Sequence, residues 1–368
     1  MTGTGRVGVG IIGAGVISTQ YLDNLTTFPD VDVRFVADID VERAKAQAEK
    51  YGVPGSGTVE ELLADEAIEI VVNLTIPAAH VEVARQVLAA GKHVFSEKPF
   101  SLDRESGLEL LAEANRLGLR VATAPDTFLG AGLQTGKRLI AEGRIGTPLT
   151  AVTMFQGPGP ESWHPNPDFY YVRGGGPLFD MGPYYVTALV QNLGPVRRVA
   201  ATRSTARVER VIGSGPRAGV TFPVETPTHF SALLEFESGA SAQSIYSFES
   251  SIRRGGVVEF TGTEGAVVFP DPNNFVGDVE IWTDASDAAE VVPAVGVTSG
   301  RGTGVLELAR AIRAGVPERA NGEQAYHVVD IMVSITEAAE SGQWVEVTST
   351  VPPSQALPID FDPTERTL

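Results

Sequence analysis

The sequence contains no cysteine, and this absence excludes several kinds of chemistry. Disulfides, thiolate zinc sites, iron–sulfur clusters and a cysteine nucleophile all need the missing thiol. The five histidines do not follow the spacing of a metal site, so no metal is expected. Redox arguments leave the compartment open, and any catalysis must use side chains that carry oxygen or nitrogen.

Basic residues and long apolar runs are also scarce. The chain has 28 lysine and arginine residues against 46 aspartate and glutamate residues, and its formal net charge of −18 excludes a nucleic-acid binder that works by neutralising phosphates. No apolar run approaches the ~20 residues of a membrane span, and the N-terminus lacks the order of a signal peptide. We therefore expect a soluble, cytoplasmic protein that binds neither nucleic acid nor membrane.

The 368 residues are enough for about two domains, and the pattern of the sequence changes near Gly130. Before this point, short apolar runs alternate with helical patterns, which predicts an α/β fold with a parallel sheet. The predicted strands are Val7–Ile12, Val31–Ala37, Ile68–Leu74, His93–Ser96 and Arg120–Ala124. The predicted helices are Val16–Thr27, Val41–Lys50, Ala79–Ala90 and Asp103–Leu117.

After Gly130, β-rich segments separated by glycine and proline turns predict an α+β domain with a large, mainly antiparallel sheet. Its predicted strands are Thr150–Gln156, Val196–Arg203, Phe230–Glu237, Ser241–Phe248, Val257–Thr261 and Ala266–Phe269. Its predicted helices are Gln134–Glu142, Pro183–Leu193 and Glu323–Ser341. We place the domains at residues 1–125 and 126–350, followed by a C-terminal tail over residues 351–368.

A glycine-rich turn follows the first predicted strand. The letters GxGxxG match at Gly8, Gly10 and Gly13, but this match lies inside the strand and is rejected. Gly13, Gly15 and Ser18 instead follow the strand and open a helix. There the first glycine permits a tight turn, and the second lets a pyrophosphate approach the backbone at the helix N-terminus. Glycines after strands also occur for steric reasons, so the turn alone is a weak signal.

An acidic residue strengthens this interpretation. Asp38 ends the second predicted strand, about 25 residues after Gly13, close to the ~20 expected for a carboxylate that binds the adenosine ribose. The order of strand, turn, helix, strand and acid predicts a Rossmann dinucleotide-binding domain. Asp38 repels a 2′-phosphate and Ile39 supplies no cation, which favours NAD over NADP, although Arg43 can partly compensate.

Glu97-Lys98-Pro99 directly follows the fourth predicted strand, at the edge where open α/β sheets hold ligands. By position alone, a surface lysine before a helix is the more common interpretation of Lys98. Together with the glycine turn, Asp38 and Thr75-Ile-Pro77, this motif resembles the Gfo/Idh/MocA family of glucose–fructose oxidoreductase and inositol dehydrogenase relatives. The run from Gly174 to Tyr184 is similar to the GGGxxxDxGxH stretch of that family, and the resemblance spans about residues 6 to 347.

The resemblance implies an NAD(P)-dependent dehydrogenase or reductase that acts on a hydroxyl of a sugar, polyol or glycoside, with NAD as the favoured cofactor. It also implies a homodimer or homotetramer formed through the outer face of the second sheet. The residues that it implies for cofactor binding are Gly13, Gly15, Val16, Ile17, Asp38, Thr75, Pro77, His80, Glu97 and Lys98.

The expected catalytic residues are Lys98, Tyr184 and Asp180. Tyr184 stands where many family members have a histidine base, and a phenol with a pKa near ~10 acts as a base only beside a cation such as Lys98. Lys98 can also be the base itself, and the sequence does not rank the two. Asp180, one helical turn before Tyr184, can bond to the lysine or to a substrate hydroxyl, with a helix N-cap as the alternative.

The segment Trp163–Pro177 is rich in glycine, proline and aromatic residues, and such irregular loops often carry function. Trp163 and His164 provide an aromatic surface with polar groups that suits a carbohydrate, whereas packing at a domain interface is the alternative for Trp163. Asp126 either contacts substrate or is a turn residue. The substrate residues expected in total are Lys98, Asp126, Trp163, His164, Asp180 and Tyr184.

Two other functions remain open at this point. An NAD-dependent redox glycosidase uses the same fold and the same hydride step, but returns the hydride after cleaving a glycoside. A non-catalytic sensor binds the dinucleotide and regulates a partner. The presence of both Lys98 and Tyr184 argues against the sensor, because a sensor needs neither.

Overall fold

The computed structural model describes residues 5–368 and divides the chain into two compact units. The first unit contains the described chain up to Gly130 together with residues 296–326 and 357–368. The second unit contains Ala131–Val295 and His327–Ala356. Within the described part of the chain, no helix has both the length and the apolar character needed to cross a bilayer.

The helices and strands are numbered in chain order. The helices are α1 Val16–Leu25, α2 Val41–Tyr51, α3 Val59–Ala64, α4 His80–Ala89, α5 Arg104–Leu117, α6 Ala131–Ala141, α7 Gly176–Leu193, α8 Thr303–Ala314 and α9 Gly322–Ser341. The strands are β1 Val7–Ile12, β2 Val31–Ala37, β3 Gly55–Gly57, β4 Ile70–Asn73, β5 His93–Ser96, β6 Val121–Thr123, β7 Pro148–Gln156, β8 Val196–Ser204, β9 Glu209–Val211, β10 Thr221–Pro223, β11 His229–Phe236, β12 Ser241–Ser247, β13 Arg254–Gly262, β14 Ala266–Val268, β15 Val279–Trp282, β16 Glu290–Val292 and β17 Val345–Glu346.

The first unit is built on a six-stranded parallel sheet with the strand order β3-β2-β1-β4-β5-β6. Every residue of β1 is buried, as expected for a strand covered by helices on both faces. The order reverses between β1 and β4, and ligands of such sheets bind outside the carboxyl ends of the strands at this reversal. The α/β fold with a Rossmann sheet is therefore confirmed, and the sheet has a defined crevice edge.

Two short elements of the first unit, one strand and one helix, were not predicted. The strand β3 has the sequence Gly-Ser-Gly, which has no intrinsic strand preference, and it forms because its backbone pairs with Phe35–Ala37 of β2. The helix α3 begins at a capping box in which Thr58 and Glu61 satisfy each other's backbone N–H groups.

The compact units differ from the predicted domains in the late part of the chain. Residues 296–326, expected in the second domain, and residues 357–368, expected as a separate tail, both belong to the first unit. Arg310 of α8 donates from Nε to Oδ2 of the fully buried Asp30 at 2.8 Å. The same carboxylate accepts hydrogen bonds from the backbone N–H groups of Thr367 and Leu368. These bonds attach both late segments to the first sheet.

The second unit is built on a nine-stranded sheet with the order β16-β15-β14-β13-β7-β12-β11-β8-β17. Among these pairs only β7 and β12 are parallel, which confirms the prediction of a mainly antiparallel sheet. The helix α7 packs on β7, β11 and β12, while α6 packs on β14 and β15.

The helix α7 begins at Gly176, seven residues before the predicted start at Pro183. Pro177 occupies its first turn, where the missing N–H costs nothing, and Pro183 lies inside the helix. The N-cap is Gly175, so the alternative that placed Asp180 at the N-cap is wrong. Asp180 instead lies within the helix, one turn before Tyr184.

Candidate active site

The turn after β1 fits a dinucleotide pyrophosphate. Gly13 has a φ of +105°, and a Cβ at this position would lie 2.7 Å from the backbone C and O of Leu74 after β4. The space beside Gly15 is open to 4 Å, and among the described residues no side chain caps α1 at this N-terminus. The first N–H groups of α1 are therefore available to an anion at the crevice edge of the sheet.

The side chains next to this turn divide into exposed and buried groups. Val16 is 80 % exposed at the first position of α1, and Ile17 is half-buried. Ser18 is fully buried; its Oγ donates to the carbonyl of Gly15 at 2.6 Å and accepts from Gln47 Nε2 at 2.9 Å. A small residue at position 18 thus allows α1 and α2 to approach each other, which is the packing task of the third glycine in the motif.

Asp38 is held at the same edge, directly after β2. Its Oδ2 accepts from the backbone N–H of Ala14 at 2.7 Å, and its Oδ1 accepts from that of Asp40 at 2.9 Å. Arg43 donates to both oxygens, at 2.6 and 3.3 Å. Burial opposes the charge of Asp38, but these hydrogen bonds outweigh it and lower the pKa of the carboxyl, which is therefore ionised. The carboxylate is fixed to the glycine turn and partly neutralised by a cation.

Lys98 is half-buried just after β5, in a turn fixed by Glu97. The carboxylate of Glu97 is 7 % exposed; its Oε1 accepts from the phenol of Tyr21 at 2.8 Å, and its Oε2 accepts from the backbone N–H of Lys98 at 3.0 Å. Glu97 therefore uses both oxygens within the protein, and its direct contact with a cofactor remains a prediction.

His80, at the start of α4, is 1 % exposed and faces two backbone carbonyls. Its Nδ1 lies 2.8 Å from the carbonyl oxygen of Pro99, and its Nε2 lies 2.9 Å from that of Thr75. Burial lowers the pKa of His80, although both carbonyls oppose this effect. Thr75 is also fixed by Asn73, whose Oδ1 accepts from the threonine hydroxyl at 2.7 Å. Pro77 forms the turn that joins this segment to α4.

Asp126 is 1 % exposed after β6 and caps a helix from a distant part of the chain. Its Oδ2 accepts from the backbone N–H groups of Gly302 and Gly304, at 2.9 and 3.0 Å, at the N-terminus of α8. Burial raises the pKa of Asp126 to about 6 despite these bonds. The sequence could not predict this contact, because no local signal links Asp126 to glycines so far along the chain. A substrate contact of Asp126 stays a prediction.

In the second unit, α7 carries Asp180 and Tyr184 one turn apart. Asp180 is half-buried, and Tyr184 is 5 % exposed. A Cβ at Gly182 between them would lie 2.9 Å from the sulfur of Met332 on α9, so glycine allows the two helices to pack closely there. Thr187, one turn further, is buried.

An aromatic cluster surrounds His164 in the second unit. The ring centroid of His164 lies 5.5 Å from Trp163, 5.4 Å from Phe169 and 5.4 Å from Tyr170. The Nδ1 of His164 accepts from the backbone N–H of Asn166 at 3.1 Å, which leaves Nε2 as the protonated nitrogen of the neutral ring. Burial lowers the pKa of His164, while the charge of Asp180 opposes the change. The negative charge of Asp180 thus favours the protonated form of His164.

The loop that carries this cluster is fixed by residues that sequence reasoning missed. Arg210 of β9 is 3 % exposed and donates to Glu161 Oε1 at 2.6 Å and to the carbonyl of Pro158 at 2.9 Å. Arg217 makes a two-pronged ion pair with Asp168, at 2.7 and 2.9 Å. The hairpin formed by β9 and β10 thus fastens both ends of the aromatic loop.

Across residues 5–368, no group of three or more histidine, aspartate or glutamate side chains could hold a metal ion.

Two family models match the chain. The first, described as an oxidoreductase family with an NAD-binding Rossmann fold, covers residues 7–124, and the second, the GFO/IDH/MocA C-terminal domain, covers residues 133–268. The chain therefore belongs to the Gfo/Idh/MocA family of oxidoreductases, and the resemblance drawn from the motifs is confirmed.

Several relatives act on sugars by name. The chain is 28 % identical over 266 residues to a 1,5-anhydro-D-fructose reductase of Ensifer adhaerens, which covers 70 % of this chain and 74 % of the relative. It is 25 % identical over 344 residues to D-xylose 1-dehydrogenase (NADP(+)) 2 of Haloferax volcanii. This match covers 92 % of this chain and 99 % of the relative. A solved structure of levoglucosan dehydrogenase in complex with NADH and L-sorbose has the same fold, with a TM-score of 0.81 at 21 % sequence identity. The match covers 94 % of this chain and 99 % of that chain.

Proposed function

We propose that this protein is an NAD(P)-dependent oxidoreductase that transfers a hydride between nicotinamide and a hydroxyl-bearing carbon of a sugar, polyol or glycoside. The observation that carries the proposal is the open N-terminus of α1 at Gly13 and Gly15, on the same sheet edge as Lys98. Membership in an oxidoreductase family and the sugar-acting relatives support it.

The proposed cofactor is NAD in preference to NADP. Asp38 is ionised and fixed to the glycine turn, where a carboxylate accepts hydrogen bonds from ribose hydroxyls and repels a 2′-phosphate. Arg43 pairs with this carboxylate and softens the repulsion, so the preference is one of degree. When bound, the nicotinamide supplies the hydride acceptor or donor, and the side chains of the protein manage the proton.

We propose that three residues handle the proton of the substrate hydroxyl during hydride transfer. They are Lys98 in the first unit and Tyr184 and Asp180 in the second. A lysine exchanges a proton readily when its charged form is disfavoured, and a tyrosine does so when a cation stabilises the phenolate. The proposed role of Asp180 is to accept a hydrogen bond from a substrate hydroxyl. Its electrostatic proximity to His164 supports a shared polar site in the second unit.

The aromatic cluster is the proposed sugar platform. Trp163 is 60 % exposed, so much of its indole is accessible to a ligand. Sugar rings present C–H faces that stack on aromatic rings, and their hydroxyls need polar partners such as His164 and Asp180. The hairpin contacts of Arg210 and Arg217 keep this loop in place before substrate arrives.

The first experiment measures reduced-nicotinamide absorbance when the full-length protein and NAD are mixed with a panel of aldoses, inositols and glycosides. Lys98→Met is expected to abolish turnover while NAD still binds, and Lys45→Met, at an exposed lysine of α2, serves as the matched control. More than a tenth of the wild-type rate in Lys98→Met would contradict the assignment of Lys98. Cleaved glycosides without net reduced nicotinamide would indicate the redox glycosidase instead.

We further propose that the protein is a cytoplasmic homo-oligomer that associates through the outer face of the nine-stranded sheet. Val152 of β7 and Leu233 of β11 expose 37 % and 48 % of their surface on that face, on strands near the centre of the sheet. Analytical ultracentrifugation over a range of concentrations tests the assembly, and a monomer at every concentration would contradict it.

A further inference from the structure

His80 joins two segments of the crevice edge that are far apart in sequence. Its Nδ1 meets the carbonyl of Pro99, directly after Lys98, at 2.8 Å. Its Nε2 meets the carbonyl of Thr75, in the segment after β4, at 2.9 Å. With 1 % of its surface exposed, the ring is buried between the two segments.

The chemistry of the imidazole makes this contact unusual. Both partners are carbonyl oxygens, which only accept hydrogen bonds, whereas a neutral imidazole has one N–H donor and one acceptor nitrogen. One neutral tautomer donates to Pro99, the other donates to Thr75, and only the imidazolium donates to both. We infer the imidazolium here, because each nitrogen lies within 2.9 Å of a carbonyl oxygen and these two acceptors oppose the effect of burial. The nearby charges are Glu97, which favours the imidazolium, and Lys98, which opposes it. The ring nitrogens are occupied by the backbone, so they are not available to a bound ligand.

The two segments have different tasks in the proposed function. The segment with Thr75 and Pro77 lies at the strand reversal, where the cofactor is expected, and the turn with Lys98 carries the proposed proton-transfer group. Glu97 fixes the amide of Lys98, and His80 links the same turn with the segment after β4. A hydride transfer needs the reacting groups held to within fractions of an ångström.

We propose that His80 is a positioning residue that holds the lysine turn and the Thr75 segment at a fixed separation, an inference that rests on the proposed function. It acts through the backbone and does not itself contact the cofactor, in contrast to the role that the family resemblance implied. The two ring nitrogens therefore have separable effects: Nδ1 governs the position of Lys98, and Nε2 governs the position of the Thr75 segment.

Two amide substitutions separate these effects. In His80→Asn, the amide nitrogen occupies the place of Nδ1 and keeps a donor for Pro99 while the bond to Thr75 is lost. In His80→Gln, the amide nitrogen reaches the place of Nε2 and keeps a donor for Thr75 while the bond to Pro99 is lost. His80→Leu removes both. His93→Asn, at the amino end of β5, is the matched control, because the Nδ1 of His93 accepts from the backbone N–H of Arg120 and lies at the opposite edge.

Hydrogen–deuterium exchange of the full-length protein measures how well the backbone amides of each segment are protected, and it needs no substrate. His80→Asn is expected to speed exchange about fivefold in residues 74–79 and to leave residues 96–101 unchanged, while His80→Gln does the reverse, in line with the loss of one hydrogen bond. The dissociation constant for NAD, measured by tryptophan fluorescence, is expected to rise about fivefold in His80→Asn and to change less than twofold in His80→Gln.

With a substrate from the panel, kcat is expected to fall about a hundredfold in His80→Gln and to stay within about threefold of wild type in His80→Asn, because only the first variant releases the lysine turn. Equal changes in both segments, or equal losses of kcat and NAD affinity in both variants, would overturn the proposal and leave His80 as a packing residue. The comparison of Asn with Gln stands even where His80→Leu does not fold. A wild-type protein that fails to bind NAD would refute the proposed function, whereas a wild-type protein that binds NAD and variants that show no split would refute this inference alone.

Discussion

Replacing Asp126 with asparagine removes a buried ionisable group while keeping the shape of the side chain. Burial raises the pKa of this carboxyl from 3.8 to about 6, a difference of roughly two units. At ~1.36 kcal/mol per unit, the ionised carboxylate costs the folded state about 3 kcal/mol relative to the unfolded chain. Since both backbone N–H groups donate to a single oxygen, Oδ2, an asparagine carbonyl can accept the same two hydrogen bonds.

The sign of the pH effect follows from the direction of the shift. The folded state binds the proton of Asp126 more tightly than the unfolded chain does, so this residue contributes most to stability below about pH 4. That contribution is lost as the pH rises through about 6. The free energy of unfolding of the wild type minus that of Asp126→Asn should therefore fall by about 2 kcal/mol between pH 4 and pH 7 and stay constant above.

Urea denaturation of both proteins at several pH values measures this difference, and the other carboxylates cancel because both proteins contain them. A difference that does not change with pH would refute the reasoning. The same pair of proteins also tests the substrate role predicted from the sequence. If Asp126 only caps α8, kcat/KM at pH 8 stays within about twofold, whereas a contact with a substrate hydroxyl would lower it by tenfold or more.

Two further substitutions test the cofactor and sugar sites. Asp38→Ser should weaken NAD binding about tenfold and improve NADP binding, because Arg43 no longer pairs with Asp38 and can bind the 2′-phosphate. Fluorescence titration measures both dissociation constants. The double variant Asp38→Ser/Arg43→Ala should lose the improvement in NADP binding. An unchanged ratio of the two affinities would contradict the role of Asp38. Trp163→Ala should raise the KM for the sugar about fivefold with little change in kcat, whereas Trp282→Ala, on β15 and 41 % exposed, should change neither. Equal KM values for Trp163→Ala and the wild type would exclude the sugar platform.

The main strands of the first sheet could be predicted from the sequence because they are largely buried apolar runs and the turns between them contain distinctive residues. Val7–Ile12 and Val31–Ala37 match the structure residue for residue. The strand β3 could not be predicted, since its glycines become a strand only through pairing with β2. The helix α7 was predicted too short because Pro183 was taken as its first turn, while Pro177 fills that place and tertiary packing accommodates Pro183.

The candidate residues of the site could be named from the sequence, whereas their hydrogen-bond partners could not. The positions of Lys98, Asp38 and Tyr184 follow from local motifs, because each lies at the end of a strand or on one face of a helix. The contacts that decide how these groups behave join distant segments: His80 with Pro99, and Asp126 with Gly302 and Gly304. Such pairings depend on the packed fold, and one sequence contains no local record of them.

The composition of the first unit has a consequence for the biosynthesis of the protein. A ribosome releases β1 to β6 early, but α8 and the segment bonded to Asp30 emerge only after the whole of residues 131–295. The nascent nucleotide-binding sheet therefore stays incomplete during synthesis, and the surface that α8 later covers is exposed to water and to chaperones. For the same reason, a gene fragment cut after residue 125 would encode a Rossmann sheet without one of its covering helices.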